Sequence, residues 1–170
     1  MEFSADLTAN LDHLKQVLQT DENFDVVYRM AEFGGRRACL FFVDGFTKDE
    51  VLLKMLQSWW SIKPEDMPSD AKGFSEKYVP YGEAGLIKED TEMIVQLLSG
   101  VTCLFIDGYE ECMSIDCRTY PARGVGEPEK DKVMRGSRDG FVETLIFNTA
   151  LIRRRIRDPK LTMGILTGIG

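Results

Sequence analysis

The spacing of apolar residues along the chain predicts a helix near each end. Leucines recur every three or four positions from residue 6 to residue 19, which is the pattern of an amphipathic helix. A second, longer helix is predicted at 133–158, with anions near its first turn and arginines in its last, as the helix dipole favours. Its apolar residues extend around most of its circumference, so we expect it to bridge the core and a second domain or subunit.

A turn of about 100° per residue defines the faces of this long helix. One face carries Phe141, Leu145, Thr149, Ile152 and Ile156, with Val142, Ile146 and Ala150 beside it, and the far side carries Phe147 and Leu151. If a neighbouring subdomain is missing, we expect Phe147 and Leu151 to be exposed and the chain to dimerise or aggregate.

Two pairs of apolar runs predict β-hairpins. The first pair is DVVYRMAEF and RRACLFFVDG, joined by Gly34 and Gly35, and a two-residue glycine turn between strand-like runs is typical of a hairpin. The second pair is VTCLFID and CMSIDCRTY, separated by GYEE. The first hairpin's second run is apolar at nearly every position, which favours a central strand covered on both faces.

Three further helices are predicted between and beside these hairpins, at 47–61, 69–78 and 92–99. Thr47 and Glu50 have the spacing of a capping box at the start of the first one. A proline- and glycine-rich loop is expected before the third.

The element order predicts an α/β fold leaning to α+β. We expect a mixed sheet of about four strands from two hairpins, with helices packed on it and a long C-terminal helix. The chain then divides into an N-terminal helix and lead-in at 1–24, an α/β domain at 25–158, and a terminal segment at 159–170.

Composition and charge exclude some classes of protein but do not indicate an activity. The net charge is −7 and basic residues concentrate on the terminal helix, so we expect no nucleic-acid partner. The four cysteines have no CxxC spacing, which indicates a reducing compartment. The chain begins without the features of a signal peptide, and no window of 18 apolar residues is present.

Candidate catalytic chemistry is sparse. The chain has no phosphate-binding glycine loop, no GxSxG and no HExxH, and its single histidine, His13, has no cysteine or histidine near it in sequence. We therefore expect no enzymatic activity, no catalytic residue, no metal and no cofactor. A free-standing hydrolase would need a nucleophile and base that the sequence does not supply.

Two aspartates are candidate ligand-binding residues. The segments 40–46 and 103–109, LFFVDGF and CLFIDGY, are similar without gaps, and in each the strand-like run ends in Asp-Gly. Asp44 and Asp107 at the same edge of a sheet would form a polar binding site. The simpler interpretation is that Asp-Gly ends strands because aspartate caps turns and glycine accepts positive φ.

Arginines near both ends of the terminal helix are the other candidates. Arg135 and Arg138 flank Gly136 ahead of the helix, where they would bind an anion or pair with a neighbouring carboxylate. Arg153 falls between Val142 and Ile146, inside the apolar arc, so it lies either at a frayed end or buried with a carboxylate, because an unpaired buried guanidinium costs several kcal/mol. We hypothesise that Arg153 fixes the helix to a partner element, within the domain or across an interface.

The residues around this helix carry a family resemblance. The runs RGSRDGFVET at 135–144 and NTALIRRRIR at 148–157 resemble the signature of the spore germination receptor A-subunit family. The similarity extends back through 119–134, 104–107 and 41–44, and so covers most of the chain from about 25 to 162.

The resemblance implies a non-enzymatic, cytosol-facing N-terminal region of a protein of the spore inner membrane. Its implied partners are other germination-complex subunits or a second copy, and membrane contact is implied through regions absent from this chain. Family members continue into a second subdomain and transmembrane helices, so residues 159–170 are expected to be the truncated start of that subdomain, and the chain a fragment or a truncated reading frame. The organisers of the helix and its contacts are then Arg135, Gly136, Arg138, Gly140, Phe141, Glu143, Asn148, Arg153, Arg154 and Arg155.

We thus expect a domain for assembly or signal coupling in a germinant-receptor or ion-release complex. The alternative is a module that binds a small nutrient through Asp44 and Asp107.

Overall fold

A computed structural model of the chain describes residues 1–79, 84–118 and 138–166, with the backbone alone for 138–144. Within these residues the elements follow in the order α1 Leu7–Val17, β1 Val26–Phe33, β2 Arg36–Val43, α2 Asp49–Trp60, α3 Ala71–Tyr78, β3 Ala84–Ile87, α4 Asp90–Leu98, β4 Thr102–Ile106, β5 Cys112–Ile115 and α5 Arg138–Arg155. A short 3₁₀ turn, Pro64–Asp66, lies between α2 and α3.

The strands form one five-stranded antiparallel sheet in the order β1-β2-β4-β5-β3. The α+β expectation and both predicted hairpins are confirmed, but the sheet has five strands rather than about four and is not mixed. The additional strand is β3, in a segment predicted as a loop. It pairs with β5, and a Cβ at Gly85 would lie 2.7 Å from Ser114 Oγ, so glycine there permits close approach of the two strands.

Helices cover both faces of the sheet. One apolar cluster joins side chains of α1, α4 and α5 to one face, and a second joins α2 and α3 to the other. All five residues of β4 are buried, as expected of a central strand. Trp59 is fully buried in the second cluster, whereas its neighbour Trp60 is 49% exposed.

The observed helix caps agree with the sequence at some positions and differ from the predicted caps at others. Asp6 caps α1 by accepting hydrogen bonds from the Thr8 and Ala9 amides. The capping box predicted for α2 is wrong: Lys48 is the N-cap, and Thr47 Oγ1 lies 3.2 Å from Thr102 Oγ1 instead. Gly100 follows α4 with a φ of +106°, as the glycine cap predicted.

The terminal helix α5 buries a different face from the apolar stripe in the sequence. Thr149, Ala150 and Arg153 are buried, and the far-side pair Phe147 and Leu151 is partly buried. Three residues of the stripe, Leu145, Ile152 and Ile156, are exposed instead, at 37%, 46% and 48%. Helical periodicity located the apolar positions, but the buried face is set by contacts with the sheet.

None of the helices in the described part of the chain is both long enough and apolar enough to cross a membrane.

Candidate functional site: a buried arginine node

Arg153, near the end of α5, lies at the centre of a buried polar cluster. Its Nε donates to Asp25 Oδ2 at 2.8 Å and its Nη2 donates to Asp25 Oδ1 at 2.8 Å, which makes a bidentate ion pair. The side chains of Arg153 and Asp25 are 0% and 1% exposed. Of the two environments considered for Arg153, the structure shows the buried one, and the carboxylate belongs to the same domain.

Asn23 and the chain after the helix complete the cluster. Arg153 Nη2 also donates to Asn23 Oδ1 at 3.1 Å, and Nη1 donates to the Leu161 carbonyl at 2.9 Å. Asn23 Oδ1 accepts a second hydrogen bond, 2.7 Å long, from the Met163 amide. We call Arg153, Asp25 and Asn23, with the main chain of Leu161 and Met163, the arginine node.

The turn between α1 and β1 places the acceptors of the node. Gln19 adopts a φ of +50°, which ends the helical course of the chain after α1. The Asn23 amide nitrogen Nδ2 then donates to the Leu18 carbonyl at 2.8 Å, which fixes the orientation of its Oδ1. Asp25 lies directly before β1, and its carbonyl accepts from the Asp44 amide. The node is therefore attached to the end of the sheet where β1 starts and β2 stops.

Segment 159–163 is held beside the node by further bonds. The Gln19 side chain donates to the Pro159 carbonyl at 3.2 Å, and the Phe24 amide donates to the Met163 carbonyl at 2.9 Å. Together with the bonds from Arg153 and to Asn23, these contacts fix the direction in which the chain leaves α5.

The middle of α5 approaches the sheet closely at one turn. Gly45 follows β2 with a φ of +92°, and a Cβ there would lie 3.0 Å from Ala150 Cβ and 3.1 Å from Ile146 Cγ2. Gly45 thus supplies both the turn conformation and the space for the helix. Arg153 and this contact hold α5 to the sheet at two points, one helical turn apart.

The node is satisfied internally. Burying two charges is costly, and the cost is offset when the pair is bidentate and each guanidinium nitrogen has an acceptor, as Nε, Nη1 and Nη2 of Arg153 do here. Among the described residues, no buried side-chain nitrogen or oxygen lacks a hydrogen-bond partner. Removing either partner would leave an uncompensated buried charge, which costs about 3–5 kcal/mol.

The other predicted site residues of α5 are either exposed or outside what the structure describes. Asn148, Arg154 and Arg155 are exposed. The side chains of Arg138, Phe141 and Glu143, and the environment of Gly140, lie outside what the structure describes, as do Arg135 and Gly136 altogether. Their proposed roles therefore remain predictions.

Asp44 and Asp107 do not form a shared site. Strands β2 and β4 are antiparallel, with Ala38 opposite Ile106 and Phe41 opposite Cys103. The carboxyl ends of the two strands therefore lie at opposite ends of the sheet. At about 3.3 Å per residue the two aspartates lie roughly 20 Å apart. The expectation of a common edge was wrong because similar strand sequences carry no information about strand direction.

Each of these aspartates has a local structural contact instead. Asp107 Oδ1 accepts a hydrogen bond of 3.1 Å from the Leu7 amide at the start of α1. Asp44 is half-buried, and burial, reinforced by the neighbouring Asp49, raises its carboxyl pKa. The interpretation of Asp-Gly as strand-ending turns agrees with both glycines, Gly45 and Gly108, having positive φ.

Sequence reasoning missed Asn23 and Asp25. Both fall in the polar run DENFD before β1, which looks like an ordinary solvated lead-in. Only the position of Arg153 inside an apolar arc signalled that a carboxylate partner exists, and a separation of 128 residues hides which one it is.

Comparison with known proteins identifies the family to which this chain is similar. Residues 12–168 match the family model described as Bacillus/Clostridium GerA spore germination protein. Two similar proteins of Bacillus subtilis (strain 168) are stage V sporulation protein AF, 31% identical over 89% of this chain, and spore germination protein B1, 32% identical over 98%. These alignments cover 31% and 35% of the relatives, so the chain spans about a third of their length.

A solved structure supports the fold. The crystal structure of the N-terminal domain of the A subunit of the Bacillus megaterium spore germinant receptor GerK3 superposes with a TM-score of 0.70 at 19% identity, covering 95% of this chain and 59% of that one. Another relative, 26% identical over 95% of this chain and covered over 31% of its own length, is the uncharacterized membrane protein YfkQ of Bacillus subtilis (strain 168). The family match spans nearly the whole chain, and the chain belongs to the GerA family of spore germination proteins.

Proposed function

We propose that this chain is the cytosol-facing N-terminal domain of a germination protein of the spore inner membrane, acting without catalysis in assembly or signal coupling of a germinant-receptor or ion-release complex. Its partners are other subunits of that complex or a second copy. Family membership and the likeness to an A-subunit N-terminal domain support the setting. The observation that carries the coupling role is the arginine node.

The node joins three parts of the chain through one buried side chain. Arg153 connects the end of α5 to the start of β1 through Asp25, and to the chain beyond the helix through the Leu161 carbonyl. A displacement of segment 161–163 therefore acts on the sheet through fixed hydrogen bonds. A bidentate guanidinium–carboxylate pair also constrains orientation, which apolar packing does less strictly.

Separate substitution of the two charges tests the structural side of this proposal. Arg153→Met or Asp25→Leu alone should destabilise the domain by about 3–5 kcal/mol, or lower the melting temperature by roughly 10 °C, because each leaves one buried charge unpaired. The double variant Arg153→Met/Asp25→Leu removes both charges, and buried pairs replaced by apolar residues are often near neutral in stability. Calorimetry of the purified variants measures the difference.

The functional arm uses the full-length gene in its own spore-forming host. Spores carrying the double variant, at protein levels matched by immunoblot, should germinate more slowly with nutrient than wild type, or yield less partner subunit on co-isolation. Arg29→Met, at an exposed arginine of β1, is the control and should leave both readouts unchanged. Normal germination and co-isolation by a stable double variant would show that the node serves folding alone.

A further inference from the structure

Strand β1 forms one edge of the sheet. It is the first strand in the sheet order and pairs only with β2. The middle of β1 is accessible, since Glu32 is exposed and the side chain of Met30 is 44% exposed. An edge strand presents a row of main-chain N–H and C=O groups to which a further strand can be added.

The pairing with β2 shows which main-chain groups of β1 point outward. Phe33 and Arg36 flank the two-residue turn, where a hairpin has a hydrogen-bonded pair, and the Asp44 amide donates to the Asp25 carbonyl at 2.8 Å. Because hydrogen-bonded pairs recur at every second residue of an antiparallel ladder, the odd-numbered residues from 25 to 33 face β2. The even-numbered residues therefore face outward.

Most of this outward row has no strand beside it. The segment that follows α5 occupies the edge next to Phe24, whose amide donates to the Met163 carbonyl at 2.9 Å. Further along, within the described part of the chain, no main-chain hydrogen bond or β-bridge reaches Tyr28, Met30 or Glu32 from outside the hairpin. The N–H and C=O groups of these three residues can therefore pair with another strand.

Two opposite charges beside this edge have no ion-pair partner within the described residues. Lys15 of α1 lies over β1, with its Nζ 4.6 Å from the centre of the Tyr28 ring. Glu32 projects from the same face as Tyr28, because side chains alternate along a strand. Arg37, the neighbour of Glu32 in β2, donates to Thr8 Oγ1 at 2.7 Å instead.

We propose that a second copy of this chain docks on this edge, with its β1 antiparallel to the first and a two-fold axis at Met30. Each Met30 then lies opposite its counterpart, and Tyr28 of each copy lies opposite Glu32 of the other. A two-fold axis perpendicular to the sheet keeps the α1 faces of both copies on the same side. Glu32 of each copy therefore comes next to Lys15 of the other, and symmetry forms this ion pair twice.

Neighbouring registers are less favourable. Outward residues can hydrogen-bond only to outward residues, so the next possible axes lie at Arg29 and Ala31. An axis at Arg29 sets two arginines directly opposite each other, which is destabilising, and an axis at Ala31 sets Glu32 opposite Met30 instead of Tyr28. With the axis at Met30, Arg29 projects from the other face opposite the uncharged Ala31 and joins no ion pair.

A second copy fits the edge better than a strand of another protein. Charged side chains on an edge normally oppose pairing with other strands. Here the cation and the anion lie at positions where a two-fold axis matches each with its opposite, so the chain itself supplies both complementary charges. A pairing of one short strand buries little surface, which is typical of a weak, reversible interface.

The proposal deepens the assembly role proposed above and rests on it for its setting, because it names the second copy as partner and β1 as the surface. Its test needs only the purified 170-residue chain and is independent of germination. A chain without this dimer would leave the coupling role of the arginine node standing. Loss of that role would leave the dimer standing.

Sedimentation equilibrium tests the association. The chain should show a reversible monomer–dimer equilibrium with a dissociation constant on the order of micromolar or weaker, as small interfaces do. The dimer should weaken as salt rises, because its ion pairs are exposed. A monomer at all concentrations, or growth into larger species, would overturn the proposal, since a two-fold interface closes at two copies.

Charge reversal identifies the surface. Lys15→Glu and Glu32→Lys should each weaken the dimer about tenfold or more, because both ion pairs become repulsions. An equimolar mixture of the two variants should form a heterodimer of nearly wild-type affinity, since every cation again faces an anion. Arg29→Met removes a cation from the same strand on its other face and is the control, with affinity expected within about threefold of wild type. A mixture that fails to associate would refute the register.

Proline tests the main-chain pairing. The Met30 amide points away from β2, so Met30→Pro removes no hydrogen bond within the hairpin, and edge strands accept proline at such positions. It removes the amides at the two-fold axis from both copies, so the dimer should be lost. Circular dichroism and the melting temperature establish that the variant is folded. A folded Met30→Pro chain that dimerises like wild type would refute strand pairing, and if this variant does not fold, the charge-reversed mixture decides.

Discussion

Gly45 combines two demands at a single position. Its φ of +92° lies in the region that side-chain-bearing residues rarely adopt, and its missing Cβ leaves room for Ala150 and Ile146 of α5. Gly35, at the β1–β2 turn, has a similar φ of +71°, but the nearest atom to an added Cβ would be Pro64 Cγ at 3.5 Å, an ordinary contact. Substituting each glycine in turn therefore distinguishes the cost of backbone strain alone from the added cost of crowding α5.

Alanine at these two positions should have unequal effects. Gly35→Ala should cost about 1–2 kcal/mol, the usual penalty for a left-handed conformation. Gly45→Ala should cost about 1–2 kcal/mol more, because α5 must move away from the sheet or crowd the new methyl group. Urea denaturation of both variants measures the difference. Equal losses would indicate that α5 is not packed closely at this turn.

At the scale of elements, Asp90 connects three segments. Located at the start of α4, it accepts a hydrogen bond from the Met1 α-ammonium at 2.8 Å through Oδ1 and lies 2.6 Å from His13 Nε2 through Oδ2. Burial raises the pKa of the Asp90 carboxyl, but the bonds from Met1 and His13 outweigh burial and hold that pKa below its ordinary value of 3.8. His13 thus joins α1 to α4.

The lowered pKa predicts the pH range in which Asp90 stabilises the fold. A carboxyl whose pKa is lower in the folded state contributes stability above its unfolded pKa and loses it as pH falls through the folded value. The difference in unfolding free energy between wild type and Asp90→Asn should therefore be largest near pH 5–7 and shrink below about pH 4. Asp12→Asn, an exposed aspartate of α1, is the control. A difference that is constant down to pH 2 would contradict the ion-pair account.

Elements whose signal is local were predictable, and those that depend on distant pairing were not. The α1 helix and the β1–β2 and β4–β5 hairpins follow from periodicity and turn residues a few positions apart. Strand β3 was missed because its glycine, Gly85, and the preceding Pro80 and Gly82 indicate a loop, while its pairing with β5 involves residues about 30 positions away.

At the candidate site, too, the local sequence predicted a feature but not its partner far away in the chain. The apolar arc around Arg153 predicted that a buried arginine would have a carboxylate partner, but not that Asp25 supplies it. Likewise, similarity between 40–46 and 103–109 identified two strand ends correctly and their relative position incorrectly, because strand direction in the sheet is a property of topology.

At the scale of the whole molecule, one sheet separates two apolar clusters. Trp59 lies in the α2/α3 cluster, fully buried, with its Nε1 donating to the Tyr78 carbonyl at 2.9 Å. Cys39, Cys103 and Cys112 lie in the cluster on the other face, and all three are buried. Because both clusters include side chains of the same central strands, loss of the sheet removes both, and we expect the domain to unfold as one cooperative unit.

Thiol reactivity and tryptophan fluorescence test this cooperativity from opposite faces. Burial raises the pKa of Cys39 to about 12 and that of Cys112 well above its ordinary value, so neither forms a reactive thiolate near neutral pH while folded. In a Cys117→Ser/Trp60→Phe background, which removes the half-buried thiol and the exposed indole, an aromatic disulfide reagent should label the cysteines at the same urea midpoint at which Trp59 fluorescence changes. If labelling precedes the fluorescence change, the α1/α4/α5 layer opens before the α2/α3 layer. That order would mean that α1, α4 and α5 are attached to the sheet less stably than α2 and α3. The arginine node would then be a contact that opposes local opening of the α5 side.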